Sequence, residues 1–112
     1  MSAEHGHIYL LLNPGFPSLI KVGATTKSPV TRARELSAPT STPFPFVLAY
    51  HKAVLYPFQV EADLHRRLDA TRTNDSREFF SIELHKVIEM LDKYEEDRSG
   101  FDLGIETPFA DL

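Results

Sequence analysis

Two short runs near the start of the chain alternate between apolar and other side chains. In residues 7–12 and 19–23 every second residue is a large aliphatic, which is the period of a strand with one face in a core. Residues 13–18, Asn-Pro-Gly-Phe-Pro-Ser, are turn formers. The pattern predicts an antiparallel hairpin that places Tyr9 and Lys21 on the face opposite the aliphatic stripe. The predicted core residues are Ile8, Leu10, Leu12, Ile20 and Val22.

A helix and a third strand follow the hairpin. Ser28 is a good N-cap and Pro29 suits the first helical turn, so they predict a helix that ends near Leu36. After a proline-broken connection, residues 46–55 alternate again and predict a strand.

Two more helices and a short strand complete the pattern. Aliphatic residues at four-residue spacing predict a second helix from position 57 or 58 to about position 69. Glu78-Phe79-Phe80 predicts an edge strand, and Ser81 predicts the N-cap of a third helix that ends near Asp97. The order β-β-α-β-α-(β)-α describes a small α+β domain, with a mostly antiparallel three-stranded sheet flanked by helices.

Charge divides the chain into two unequal parts. Residues 1–77 hold nine Lys/Arg and six Asp/Glu, a net charge of +3, whereas residues 78–112 hold three and ten, a net charge of −7. The hairpin lies in the basic part, which is compatible with one anion-binding face. We predict a domain over residues 1–97 and an acidic segment over residues 98–112 that is either disordered or docks on a protein partner.

Composition excludes several classes of protein. The chain has no cysteine, which excludes a disulfide scaffold, a Cys-ligated zinc site and a thiol nucleophile. It starts without a basic-then-apolar leader, and no apolar run approaches membrane-spanning length. We therefore expect a cytoplasmic protein without a membrane partner, a cysteine-free secreted protein being the open alternative.

Four side chains on these elements suit phosphodiester hydrolysis. The Glu61 carboxylate can hold a divalent metal beside a phosphate oxygen, and Arg32 can neutralise charge that develops at phosphorus. The Tyr9 hydroxyl can orient or deprotonate water if its pKa is lowered by a cation such as Lys21. Gly23, on the same face, leaves room for a ligand to approach the backbone. The alternative is an ordinary hairpin with a half-exposed tyrosine and a solvated lysine, next to solvated helix residues.

Several short motifs follow one another along residues 6–92. They are Gly6-His7-Ile8-Tyr9, Lys21-Val22-Gly23, the turn Ala24-Thr25-Thr26, the helix residues Pro29, Arg32 and Glu35-Leu36, the helix segment Val60-Glu61 with Leu64-His65, and Glu78-Phe79-Phe80. In this order they resemble the GIY-YIG endonuclease superfamily, most closely its bacteriophage-type branch, whose second tripeptide commonly begins with Lys.

The resemblance implies a metal-dependent endonuclease that cleaves DNA phosphodiester bonds. It implies that Tyr9 positions or activates water, that Arg32 stabilises the phosphate and that Glu61 holds a single Mg²⁺ or Mn²⁺. Lys21 replaces the tyrosine of the second tripeptide. Arg34 competes for the role of catalytic arginine, but the family spacing favours Arg32. Residues two apart on a helix differ by about 200° of rotation, so only one of the two can face the site.

We expect DNA contacts from the threonine turn and from the neighbouring polar and basic residues Thr25, Thr26, Lys27, Arg34, His65 and Arg66. Two other functions stay open. One is a nucleic-acid-binding module with weak or no catalysis, because Lys21 stands where a tyrosine is usual. The other is a regulatory protein-interaction domain, because of the acidic segment 98–112.

Overall fold

A four-stranded antiparallel sheet carries the fold. The computed structural model describes residues 3–38, 44–72 and 78–98. The strands are β1 (His5–Leu12), β2 (Ile20–Thr25), β3 (Val47–Leu55) and β4 (Phe79–Phe80), in the spatial order β3-β1-β2-β4. The helices are α1 (Pro29–Ser37), α2 (Pro57–Arg67) and α3 (Leu84–Leu91), with a 3₁₀ turn at Asp69–Thr71. The predicted α+β class is confirmed.

The predicted hairpin is confirmed and forms the middle of the sheet. β1 pairs with β2 so that Tyr9 lies opposite Gly23 and Leu11 lies opposite Lys21. Because residues opposite each other project from the same face, Tyr9 and Lys21 share a face. β1 also pairs with β3 along its whole length, so both edges of the strand are hydrogen-bonded.

Both faces of the sheet are covered. On one face, α2 and α3 pack on a core that includes the predicted aliphatic residues Ile8, Leu10, Ile20 and Val22 together with Val54, Leu64, Leu68, Phe80, Val87 and Leu91. On the other face, α1 packs on a smaller cluster of Tyr9, Leu11 and Ala33. Tyr9 and Lys21 are therefore only 3% and 6% exposed, so the alternative of a half-exposed tyrosine and a solvated lysine is wrong.

The start of α2 is held tightly against β1. Tyr56, which precedes Pro57, is in the left-handed region with φ 55° and ψ 57°, and its N–H donates to the carbonyl of Glu4 at 2.8 Å. A Cβ on Gly6 would lie 2.6 Å from Cγ of Pro57. Gly6 therefore lets the helix begin close to the sheet, which fixes the position of the rest of α2.

The structure differs from the sequence-based prediction at β4 and at the start of α3. The sheet has four strands rather than three, because β4 pairs with β2. Ser81 does not cap α3, because Glu83 is the N-cap residue and the helix begins at Leu84. The backbone N–H of Ser81 donates instead to the carbonyl of Thr71 at 2.8 Å. Of the predicted acidic segment, residues 99–112 lie outside the described residues.

α3 ends at Leu91, earlier than predicted. The Lys52 Nζ donates to the carbonyls of Leu91 and Tyr94 at 3.2 and 2.6 Å, which satisfies acceptors left free at the helix end. Farther along, the N–H of Asp97 donates to the carbonyl of Ala53 at 2.8 Å. The chain after α3 therefore follows β3 instead of continuing as a helix.

Candidate functional site

Tyr9 lies at the centre of the sheet. Gly23 of β2 and His51 of β3 are its neighbours on the two adjacent strands. A Cβ on Gly23 would overlap the Tyr9 hydroxyl and the ring carbon that carries it. Gly23 thus provides the space in which the phenol lies across β2. The expectation that this space admits a ligand is wrong, because the Tyr9 side chain fills it.

Arg32 is the cation that reaches Tyr9. Ser28 caps α1 as predicted, and the N–H of Arg32 donates to the Ser28 carbonyl at 3.0 Å, which places Arg32 in the first turn. The guanidinium donates a hydrogen bond to the Tyr9 hydroxyl, and its Nη1 lies 3.5 Å from Oε1 of Glu35. The Arg32 side chain is 40% exposed, so its guanidinium contacts the phenol and also faces solvent.

The environment of Tyr9 keeps its phenol protonated. Burial raises the pKa of Tyr9, the Arg32 hydrogen bond and charge oppose that rise, and the charges of Glu78 and Glu61 add to it. At neutral pH Tyr9 is therefore an uncharged hydroxyl that can orient a neighbour by hydrogen bonding.

Arg34 faces away from this group. It is exposed, and within the described parts of the chain it forms no hydrogen bond or ion pair. Its place two residues beyond Arg32 turns it by about 200° around the axis of α1. Of the two candidate arginines, only Arg32 contacts Tyr9.

Lys21 is a buried cation with a paired charge. Its Nζ donates to a carboxylate oxygen of Glu78 and lies 5.1 Å from the centre of the Phe79 ring. A buried ammonium needs such a partner, because leaving it unpaired carries a large desolvation penalty. Glu78 immediately precedes β4, so the pairing of β4 with β2 brings the carboxylate to Lys21.

The outer edge of β2 beyond β4 is covered by side chains of α2. The Glu61 carboxylate accepts a hydrogen bond from the N–H of Ala24, and Nε2 of His65 lies 2.8 Å from the carbonyl oxygen of Val22. Glu61 and His65 are one helical turn apart, and their two partners lie on one edge of β2. The helix thereby satisfies backbone groups that an edge strand leaves open.

Most of the residues expected to contact DNA have partners within the chain. Thr25 is buried, and its Oγ1 accepts from the N–H of Lys27 at 2.9 Å. The Lys27 Nζ lies 2.9 Å from Oε2 of Glu35, and Arg66 pairs with Asp63. These exposed ion pairs are weak, so a phosphate can compete for both cations. Thr26 is exposed, and its contact with DNA stays a prediction.

Sequence reasoning missed two contributions to the site. Glu78 was placed only within an aromatic motif, and its partner Lys21 is 57 residues away, so no local signal could have revealed the pair. His7 and His51 form an edge-to-face pair on the β3 side of Tyr9, with ring centroids 5.5 Å apart. Burial lowers the pKa of both histidines, so both are neutral at pH 7.

The donor set fits a magnesium-like cation that is held mainly by water and phosphate. Glu61 is the candidate ligand, and burial raises its pKa while the charge of His65 lowers it. In the described parts of the chain, no three His, Cys, Asp or Glu side chains are grouped to hold a metal. Mg²⁺ commonly binds through one or two carboxylates and completes its shell with water and substrate oxygens. A single glutamate therefore suits Mg²⁺ or Mn²⁺ and does not suit zinc.

Gly23→Ala tests the packing of the phenol. The added methyl group overlaps Tyr9, so we expect the free energy of unfolding to fall by about 1–3 kcal/mol in urea denaturation. In a Tyr9→Ala background the methyl group has space, and the additional loss should be below about 0.5 kcal/mol. An equal loss in both backgrounds would contradict the contact.

Arg32→Met tests the electrostatic link between α1 and the sheet. Because Arg32 lowers the pKa of Tyr9, its removal should raise that pKa further. Ultraviolet titration of tyrosinate, with Tyr9→Phe used to assign the signal, measures the shift. Arg34→Met removes the same charge from the outer face of α1 and should leave the Tyr9 titration unchanged, so equal shifts would contradict this geometry.

One family model matches most of the chain. The model of the T5orf172 domain family matches residues 6–95, a range that contains every residue of the candidate site. No curated protein and no solved structure matches the chain. Among the described residues, no helix has the length and apolar character needed to cross a bilayer. The chain therefore belongs to the T5orf172 domain family, and it is a phage-type, nuclease-associated domain of nuclease-like or DNA-binding character.

Proposed function

We propose that the domain is a metal-dependent endonuclease of the GIY-YIG type that hydrolyses phosphodiester bonds in DNA. The observation that supports this most directly is that Arg32 of α1 and Glu61 of α2 both act on Tyr9 of β1. Arg32 donates to Tyr9, and the charge of Glu61 acts on the same phenol. A hydroxyl, a guanidinium and a carboxylate can together supply water positioning, charge neutralisation and metal binding for phosphodiester hydrolysis.

Each group has a role that follows from its surroundings. The exposed part of the Arg32 guanidinium binds the scissile phosphate and neutralises charge as it develops at phosphorus. The protonated Tyr9 hydroxyl orients the attacking water by hydrogen bonding. Glu61 holds one Mg²⁺ or Mn²⁺, which supplies charge neutralisation at the phosphate oxygens when bound.

Lys21 supports Glu61 in this proposal. Burial raises the pKa of Glu61, and the charge of Lys21 is the last of three effects that oppose this rise, after the charge of His65 and the N–H of Ala24. Lys21 therefore favours the ionised carboxylate, which is the form that binds a metal. A lysine in place of the usual tyrosine is compatible with catalysis on this argument.

DNA reaches the site from the solvent side of Arg32. Lys27, Arg34 and Arg66 are exposed cations that we assign to backbone phosphates, which are the main source of affinity in such complexes. We also propose that the domain acts in the cytoplasm.

A second candidate function is DNA binding without cleavage. Two observations favour it: Lys21 is already paired with Glu78, and the pKa of Tyr9 is raised. A binding module would retain affinity that falls steeply with salt concentration but would not nick DNA when Mg²⁺ or Mn²⁺ is added.

A plasmid-nicking assay with Mg²⁺ or Mn²⁺ separates the two functions. We expect nicking by the natural protein and a loss of about 100-fold or more in Glu61→Gln and in Arg32→Met, because each removes an electrostatic group from the site. Glu89→Gln, an exposed substitution on α3, is the matched control and should nick normally. Unchanged nicking by Glu61→Gln would contradict the metal role.

A further inference from the structure

The His65 ring is fixed in one orientation inside the fold. Its Nε2 lies 2.8 Å from the Val22 carbonyl oxygen, which can only accept, so Nε2 carries the hydrogen. The ring also packs on Phe80, with centroids 5.1 Å apart and planes at 56°. A histidine that serves only as a surface DNA contact would not need to donate to a backbone carbonyl of the sheet.

His65 and Glu61 attach α2 to β2 at two points. The apolar side of α2 contributes Leu64, which is fully buried against the sheet, and this packing selects the side of the helix that faces the core. His65 adds a directional hydrogen bond to Val22, and the N–H of Ala24, two residues along the same strand, acts on the Glu61 carboxylate as a hydrogen-bond donor. These two contacts join positions one turn apart on the helix to positions two apart on the strand.

We propose that His65 is a positioning residue for Glu61. Its bond to Val22 sets the rotation of α2 at which the Glu61 carboxylate meets the N–H of Ala24. The same rotation brings that carboxylate within the electrostatic influence of Lys21. The part of this inference that concerns metal affinity rests on the proposed function of Glu61, whereas the part that concerns the Ala24 hydrogen bond does not.

Three variants separate the hydrogen bond from the bulk of the ring. His65→Gln places an amide N–H near the position of Nε2 and retains a donor to Val22. His65→Leu fills a similar volume against Phe80 without any donor. His65→Asn is polar but too short to reach the carbonyl, and it replaces the leucine variant if that one does not fold.

Two measurements are made on each full-length variant, namely hydrogen exchange of the Ala24 amide and the affinity for Mn²⁺ alone by electron paramagnetic resonance. In the variants without a donor, we expect at least about tenfold faster exchange at Ala24 and a rise of about 10–100-fold in the Mn²⁺ dissociation constant, as for other residues that orient a ligand. His65→Gln should stay within about threefold of the natural protein in both. Exchange at Leu10, in the central strand, should not change in any variant.

The outcomes separate this inference from the proposed function. Unchanged exchange at Ala24 in His65→Leu and His65→Asn would overturn the positioning role even in an active nuclease. Equal losses in all three variants would overturn it too, because the imidazole itself would then be required. The natural protein could fail to bind Mn²⁺ while Ala24 exchange is faster only in the variants without a donor. That result would support the positioning role of His65 and contradict the metal role of Glu61.

Discussion

The structure depends on the burial of β1 and β2 on both faces. A hairpin that lies between α1 on one side and α2 and α3 on the other has no solvent face on which to place polar side chains. Each polar group on it therefore needs a partner within the protein. Tyr9 meets Arg32, and Lys21 meets Glu78. The polar contacts of the candidate site are therefore a consequence of this burial.

The same constraint explains how distant elements come to one place. The open edge of β2 requires hydrogen-bond partners, and α2 supplies them through Glu61 and His65. Gly6 and Gly23 remove side chains at the two points where α2 and Tyr9 approach the sheet most closely. Each glycine thus acts by leaving space for a neighbour.

Much of the fold could be predicted from the sequence, because local signals and tertiary packing agree. The alternation of the hairpin, the Ser28 cap and the aliphatic stripe of α2 all lead to elements that the structure contains. The predictions that fail concern the two ends of α3, which tertiary contacts determine. Ser81 is a good capping residue, but its backbone N–H pairs with the carbonyl of Thr71 and the helix begins only at Leu84. α3 ends at Leu91, whose carbonyl accepts from Lys52. Both partners lie in other elements, which a local pattern does not reveal.

For the site, the sequence proposed candidate residues but did not reveal how they are arranged. Ordered motifs identified Tyr9, Arg32 and Glu61, but their spacing could not show that Tyr9 is buried or that Lys21 is neutralised by a carboxylate far along the chain. Those facts come from the pairing of β4 with β2 and from the packing of α1. They change the expected chemistry, because a buried phenol with a raised pKa orients water by hydrogen bonding and is not a free phenolate at neutral pH.

We propose that Glu61, Arg32 and Tyr9 form one metal-dependent phosphodiester site. Anomalous diffraction from a crystal grown with Mn²⁺ and a short DNA duplex can locate the ion and the phosphate. We expect a single manganese peak on the Glu61 carboxylate, with a backbone phosphate bound between that ion and the Arg32 guanidinium, next to the Tyr9 hydroxyl. DNA bound on another face, or manganese bound away from Glu61, would contradict it.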